Sequence, residues 1–335
     1  MNILVYDVAA SRSGALSILQ EYHKLFCEQA KNDGNRYFFV VSTPELAETD
    51  EVRVLRFPEI KKSWLHRWYF DHFRAPKLID EYQIDEVLSL QNLTIPKVKV
   101  PQVLYLHQPL PFVPQRFSFW QNKRLWVNQH IISHMIYSSV REARQVIVQT
   151  QWMKDACVRI CNVPAEKIVV KPPELDRSLI CGFVDSVEAR RTFFYPATPF
   201  AYKNHHLLLE AAKILKADGV TDYKLVFTFR GDENPVARGL REMAEKENLP
   251  VEFHGPFQRA EVYRLYAQST LLYPSYIETF GMPLLEARLT GTPILAARMP
   301  FAEEILEGYG QVRYFEYDDV QAVCREIKEN LNVQG

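Results

Sequence analysis

Short apolar runs alternate with stretches of helical periodicity along most of the chain. In the first half, "NILVYD", "RYFFVVS", "VRVLRF", "EVLSLQ", "QVLYLH" and "QVIVQT" are apolar almost without a break. That is the pattern of strands buried on both faces. Helical spacing falls between them, near residues 15–33, 63–82 and 120–143. A second series begins near Arg191 with "TFFYPA", "YKLVFTF", "VEFHG", "TLLYPS" and "PILAA", and its helices fall near 204–217, 236–248, 259–269, 283–290 and 319–331. Strands alternating with helices predict a parallel sheet covered on both sides. Two such series predict two Rossmann-like domains, 1–175 and 176–335, facing one another across a central cleft. The seam is "KPPELDRSLICGFVDSVEARR", where Pro172 and Pro173 block helix and donate no backbone N–H. In sheets of this kind ligands bind beyond the carboxyl ends of the strands.

Composition narrows the classes. A chain of 335 residues is longer than one core usually serves. A formal net charge of −1 argues against a nucleic-acid binder driven by bulk charge. Five cysteines, odd in number and without Cys-x-x-Cys spacing, fit reduced thiols in a cytoplasmic protein better than disulfides or a zinc site. No apolar run approaches the roughly 20 residues that cross a bilayer, and "MNILVYDVAAS" enters a strand without a signal-peptide layout.

The chemistry concentrates in "YPSYIETFGMPLLEARLTGTPILAA", Tyr273 to Ala297. Glu278 follows the end of a predicted strand. Gly281 suits a positive φ or a close ligand approach, and Pro283 suits the first helical position. Glu286 is expected in the first helical turn, where an acidic residue also simply complements the helix dipole. The run Glu278-Thr-Phe-Gly-Met-Pro-Leu-Leu-Glu286 resembles the "Glu, seven residues, Glu" motif of retaining glycosyltransferases, in particular glycosyltransferase family 4 with the GT-B fold. "YPATPFAYKNHHLLLEAAKIL", "VEFHGPFQRAEVYRLYAQSTLLYPS", "QVIVQTQWMKDACVRICNVPAEKIVVKPP" and "YLHQPLPF" resemble further segments of that family, in its order. The resemblance covers nearly the whole chain.

It implies transfer of a sugar from a nucleotide-diphosphate sugar to an acceptor hydroxyl with the anomeric configuration retained. Charge developing on the leaving diphosphate must be met by fixed cations and dipoles. No Asp-x-Asp pair offers a metal, "EYDD" reads as a helix start, and neither metal nor cofactor is expected. Lys203 is the leading cation. Relatives carry a Gly-Arg pair a few residues earlier, where this chain has Ala197-Thr198. Arg230 is the candidate substitute, against the plain alternative of an exposed strand-end arginine. The amides of Gly281, Met282 and Leu284 are expected toward the diphosphate or donor sugar. Glu278 is expected on donor-sugar hydroxyls and Glu286 on the ribose hydroxyls, a carboxylate being an acceptor matched to a diol. In the first domain, Gly14 is a close-approach candidate beside Ser13. His107 is expected beside the donor sugar and is not assigned as a general base. His130 and His134 lack the accompanying glutamate of a zinc motif.

No acidic residue occurs from Val87 through Arg141. "EIKKSWLHRWYFDHFRAPK" and "FSFWQNKRLWVNQHIISHMIYSS" mix tryptophans with cations, the composition of helices that lie in a membrane interface. Aromatics packed on the sheet with solvated lysines opposite is the other reading. The expected acceptor is a saccharide, carried on a polyprenyl lipid, in capsule, exopolysaccharide or O-antigen assembly. The expected place is the cytoplasm, peripheral to the inner face of the membrane. Relatives generally continue into a helix that crosses back to the first domain, whereas this chain stops at Gly335; a short crossover or a chain cut short are the alternatives. An epimerase or phosphorylase on the same frame, or an inactive homologue serving as a partner subunit, are the competing functions.

Overall fold

The computed structural model describes residues 1–11, 13–120 and 122–332, the side chain of Ser13 excepted. Position 121 of the expected helix over 120–143 and the chain end at 333–335 lie outside the described residues. The chain divides at the Pro172-Pro173 pair into two compact units, Met1–Pro172 and Pro173–Gly335.

The first unit holds strands β1 (Asn2–Asp7), β2 (Arg36–Val41), β3 (Val52–Arg56), β4 (Glu86–Ser89), β5 (Gln102–Tyr105), β6 (Gln145–Val148) and β7 (Ile168–Val170). They form one sheet in the order β3-β2-β1-β4-β5-β6-β7, and every pairing is parallel. Successive residues of β1 serve opposite faces, as the two-residue strand period requires. Leu4 and Tyr6 pack with Phe38, Phe70 and Leu78, while Val5 packs with Leu19, Phe39 and Tyr105.

The second unit holds β8 (Thr192–Tyr195), β9 (Lys224–Phe227), β10 (Val251–Phe253), β11 (Thr270–Tyr273), β12 (Ile294–Ala297) and β13 (Val312–Phe315), in the order β10-β9-β8-β11-β12-β13. All pairings are again parallel. The helix His205–Ala217 buries Leu208, Leu209, Ala211, Ala212 and Leu215. In both units the order runs outward in one direction and then in the other from a central pair, β1/β4 and β8/β11. This arrangement is the Rossmann type read from the sequence.

Elements not anticipated include the strand β13 and the helices Val187–Arg191 and Pro300–Ile305. The two long helices expected in the first unit are interrupted. A π-helical turn, Phe70–Arg74, separates Trp64–Tyr69 from Ala75–Glu81, and another, Asn128–Ile132, separates Lys123–Val127 from Ser133–Glu142. Pro76 follows the first interruption and explains it. It has no N–H to donate, and in an unbroken α-helix its ring would press on the carbonyl one turn back, so the turn widens. Among the described residues no helix is long and apolar enough to cross a membrane.

Candidate active site

The strand order of the second unit reverses between β8 and β11, and the loops after these two strands carry the charged residues singled out above. After β8 the chain makes a tight turn at Ala201–Lys203 and passes through Asn204 at φ +61, a left-handed conformation that asparagine tolerates. Asn204 Nδ2 donates to the Tyr317 carbonyl at 2.7 Å, and the Tyr195 hydroxyl donates to the Lys203 carbonyl at 2.8 Å. The Tyr276 N–H donates to the Tyr202 carbonyl at 3.2 Å and ties this loop to the one after β11. Lys203 thus stands on a backbone fixed from three directions.

Its ammonium pairs with Oε1 of Glu278. The same oxygen accepts from the hydroxyls of Tyr273 and Ser275, each at 2.8 Å. The two charged side chains are only 18% and 15% exposed. All three donors converge on Oε1; no hydrogen bond to Oε2 occurs among the described residues. One oxygen of the carboxylate therefore carries all three of these contacts. Tyr273 and Ser275 were not picked out from the sequence, although a tyrosine ending a buried strand must find a partner for its hydroxyl, and that requirement is a usable signal.

Gly281 sits at φ +89 ahead of the helix Met282–Thr290, with Pro283 in its first turn. A Cβ on Gly281 would lie 3.2 Å from Leu284 Cδ1 and 3.4 Å from the Tyr273 hydroxyl, so the backbone conformation favours glycine and a side chain would also press Leu284 aside by a few tenths of an ångström. Two expectations are corrected here. The Leu284 N–H donates to the Gly281 carbonyl at 2.9 Å, so it is consumed by the helix start and does not serve a ligand. Gly281 and Met282 remain as the amides ahead of that bond. Glu286 is the fifth helical residue, past the first turn, because the helix starts at Met282. Its carboxylate is instead gathered by side chains: Tyr266 donates to Oε2 at 3.0 Å, while Arg259 and Tyr263 donate to Oε1 at 3.2 and 3.4 Å. Burial raises the Glu286 pKa, and the hydrogen bond from Tyr266 opposes the rise. Arg259, Tyr263 and Tyr266 went unweighed in the sequence; all three lie on the helix Arg259–Ala267, four and three residues apart along one face.

Arg230 is exposed after the end of β9, its side chain against Gly255, where a Cβ would lie 2.9 Å from its Nε. No hydrogen bond or ion pair joins it to Lys203 or Glu278 among the described residues. Next to Lys203, His205 is buried against Tyr195, Phe227 and Phe229, and neither ring nitrogen has a hydrogen-bond partner. Burial, and then the Lys203 charge, push its pKa down to about 3, so the ring is neutral.

Gly14 and His107 belong to the first unit. Gly14 is the second residue of the helix Ser13–Asp33 and has open space where a Cβ would stand. His107 follows β5; its N–H donates to Asn92 Oδ1 at 2.7 Å, and its Nε2 lies 3.0 Å from the Leu90 carbonyl, to which it can only donate. Burial lowers its pKa. Asn92 Nδ2 lies 3.2 Å from the same Nε2, and only one of these two contacts is a hydrogen bond in a given tautomer. At the end of β1, Asp7 accepts the Ala10 N–H at 2.9 Å through Oδ1, its Oδ2 is buried without a hydrogen-bond partner among the described residues, and burial pushes its pKa up to about 6. Gln91 Oε1, beyond the end of β4, is likewise buried and unpartnered. Among the described residues no three His, Cys, Asp or Glu side chains converge on a metal position.

Comparison with known proteins accounts for this arrangement. Residues 22–179 match Glycosyltransferase Family 4, and residues 183–334 match Glycosyl transferases group 1. The chain is 23% identical over 244 residues to the O-antigen chain mannosyltransferase RfbU of Salmonella typhimurium, covering 71% of this chain and 64% of that one. It is 25% identical over 207 residues to the O-antigen chain mannosyltransferase B of Escherichia coli, covering 58% and 54%. The chain therefore spans less than two thirds of either relative. Among solved structures, Anabaena HepE in complex with UDP and glucose superposes with a TM-score of 0.70 at 18% identity, over 99% of this chain and 90% of that one. Both halves of the chain, the fold and the ordered motifs agree: this chain belongs to the group 1 glycosyl transferases, glycosyltransferase family 4, and has the GT-B fold.

Proposed function

We propose that this protein is a glycosyltransferase that moves a hexosyl unit from a nucleotide-diphosphate sugar to a hydroxyl of a lipid-carried saccharide, in the assembly of O-antigen or a related surface polysaccharide. The observation that carries this reading is the Lys203–Glu278 pair across the β8/β11 switch point, with the ammonium and two hydroxyls on one carboxylate oxygen. When a diphosphate enters, the ammonium trades part of its contact with Glu278 for the phosphate oxygens. The Gly281 and Met282 amides point their dipoles at the same charge. As the glycosidic bond breaks, these groups stabilise the leaving group in place, without a metal. Glu278 Oε2 then accepts from the sugar hydroxyls, and Glu286 offers its remaining lone pairs to the ribose diol.

The acceptor hydroxyl attacks from the face that the diphosphate leaves and gives its proton to the departing phosphate oxygen, so the new glycosidic bond replaces the old one with the anomeric configuration retained. His107, whose pKa burial lowers, suits contact with a sugar hydroxyl better than proton removal. Two of the relatives above are mannosyltransferases, which puts a mannosyl donor first in the screen. The test is to raise the melting temperature with a panel of UDP, GDP and dTDP sugars, where a ligand at a hundred times its Kd adds about 2.7 kcal/mol. The stabilising donor is then given to the wild type and to Lys203→Ala and Glu278→Ala. Loss of transfer with retained folding is expected, with product NMR reporting an unchanged anomeric centre. Normal transfer by both variants would remove the assignment.

A further inference from the structure

The helix Trp64–Tyr69 contains two tryptophans, a leucine and a tyrosine, yet buries no residue. Trp64, Leu65 and Tyr69 are 71%, 65% and 60% exposed, and Trp68 and Phe73 are also exposed. The π-helical turn Phe70–Arg74 divides the labour: Phe70 turns into the core while Phe73 turns outward against Trp68 and Tyr69, with ring centroids 5.7 and 5.4 Å apart. Beside this outward face lies a cavity of about 450 Å³, lined in part by Phe57, Ile60, Leu65, Tyr69, Phe70 and Arg74. That is within the size range of pockets that hold small apolar ligands. The rim is basic. Residues 58–77 carry five Lys and Arg against two Asp and Glu, a net of +3 in a chain whose formal net charge is −1. Lys61 is spent on the Ala9 carbonyl and Arg67 on Asp71, but Lys62 and Lys77 are exposed.

We infer that this segment docks on the surface of an anionic phospholipid bilayer, its aromatic side chains in the headgroup layer and one acyl chain entering the cavity. Tryptophan and tyrosine favour that layer, where one end of the ring is apolar and the other wet. Apolar area and basic residues together make an interfacial helix rather than a spanning one. The inference deepens the lipid-carried acceptor proposed above, but it is tested without turnover.

The full chain is sedimented with vesicles of phosphatidylcholine alone and of phosphatidylcholine with phosphatidylglycerol, at low and high salt. Uptake by the anionic vesicles that falls with salt is expected. Each basic residue near an anionic surface is worth about fivefold in binding, so Lys62→Ala/Lys77→Ala should weaken uptake about 25-fold. Trp64→Ser/Trp68→Ser and Leu65→Asp should abolish it and leave the melting temperature unchanged, because these side chains are not in the core. No uptake by the wild type, or equal uptake by the tryptophan variant, overturns the inference. So does self-association of the free chain that the same substitutions abolish, with no vesicle uptake; the face would then belong to a second copy. Vesicle binding without any sugar transfer would leave the docking surface standing and remove the proposed reaction instead.

Discussion

The two sheets share a strand order and a reversal point, yet what they place at their carboxyl ends differs in kind. In the second unit the reversal is flanked by full charges of opposite sign, Lys203 and Glu278, on loops fastened by Tyr195, Asn204 and Tyr276. In the first unit the corresponding end holds a carboxyl with its pKa raised, an amide oxygen without a hydrogen-bond partner among the described residues and a histidine with its pKa lowered. On the proposed reading the ammonium of the second unit suits an anion and the acceptor groups of the first suit hydroxyls, and the difference lies in a few loop residues rather than in the sheet.

The strongest test of that contrast is removal of the cation. Lys203→Ala should lower kcat by about 10²–10³-fold, the typical loss for one preorganised stabiliser of developing charge. Glu278 keeps the Tyr273 and Ser275 hydroxyls, so the fold should persist, which a thermal melt checks. Removal of His107 in the other unit should act on donor KM more than on kcat. If both substitutions act alike on kcat, the division of labour between the units is wrong.

How much of this was legible in advance follows from what each residue reads as in isolation. The central strands were legible because burial on both faces leaves an unbroken apolar run. β13 was not, since Val312, Arg313 and Tyr314 are only half buried at the sheet's edge. The helix Pro300–Ile305 is too short to show a period. Lys203, Glu278 and Gly281 were visible through their motif. Their supports and those of Glu286 were not: Tyr273, Tyr263 and Tyr266 carry no motif, and only the tertiary fold shows which carboxylate each hydroxyl meets. Glu286 was misplaced by one residue, the fourth helical position instead of the fifth, because the helix starts at Met282, one residue ahead of the proline taken as its first.

His205 offers a second measure, through pH. Its pKa is about 3 in the folded protein, against about 6.5 when unfolded. Between those values the unfolded chain binds the extra proton, so stability falls as pH drops below about 6.5 and continues to fall toward 3. At pH 5 this amounts to about 2 kcal/mol. His205→Leu removes the titrating group from an aromatic pocket in which it makes no hydrogen bond. The variant should therefore match the wild type at pH 8 and exceed it by about 2 kcal/mol at pH 5 in urea unfolding. An unchanged gap between pH 8 and pH 5 would show that the ring is not held neutral beside Lys203.

The finest comparison is between two glycines that the sequence treats alike, one at the first helix of each sheet's reversal. Gly281→Ala forces a side chain into a left-handed backbone at φ +89, with Leu284 only 3.2 Å away, and should cost about 1–3 kcal/mol. Gly14→Ala meets nothing within 4 Å on a helical residue. Alanine is the better helix former, so stability should hold or rise by a few tenths of a kcal/mol. Any effect of Gly14→Ala must then come from the ligand. A raised donor or acceptor KM with an unaltered melting temperature would mean that the open space above Gly14 is where the ligand approaches. Unchanged kinetics would make Gly14 an ordinary turn glycine and confine close approach to the second unit.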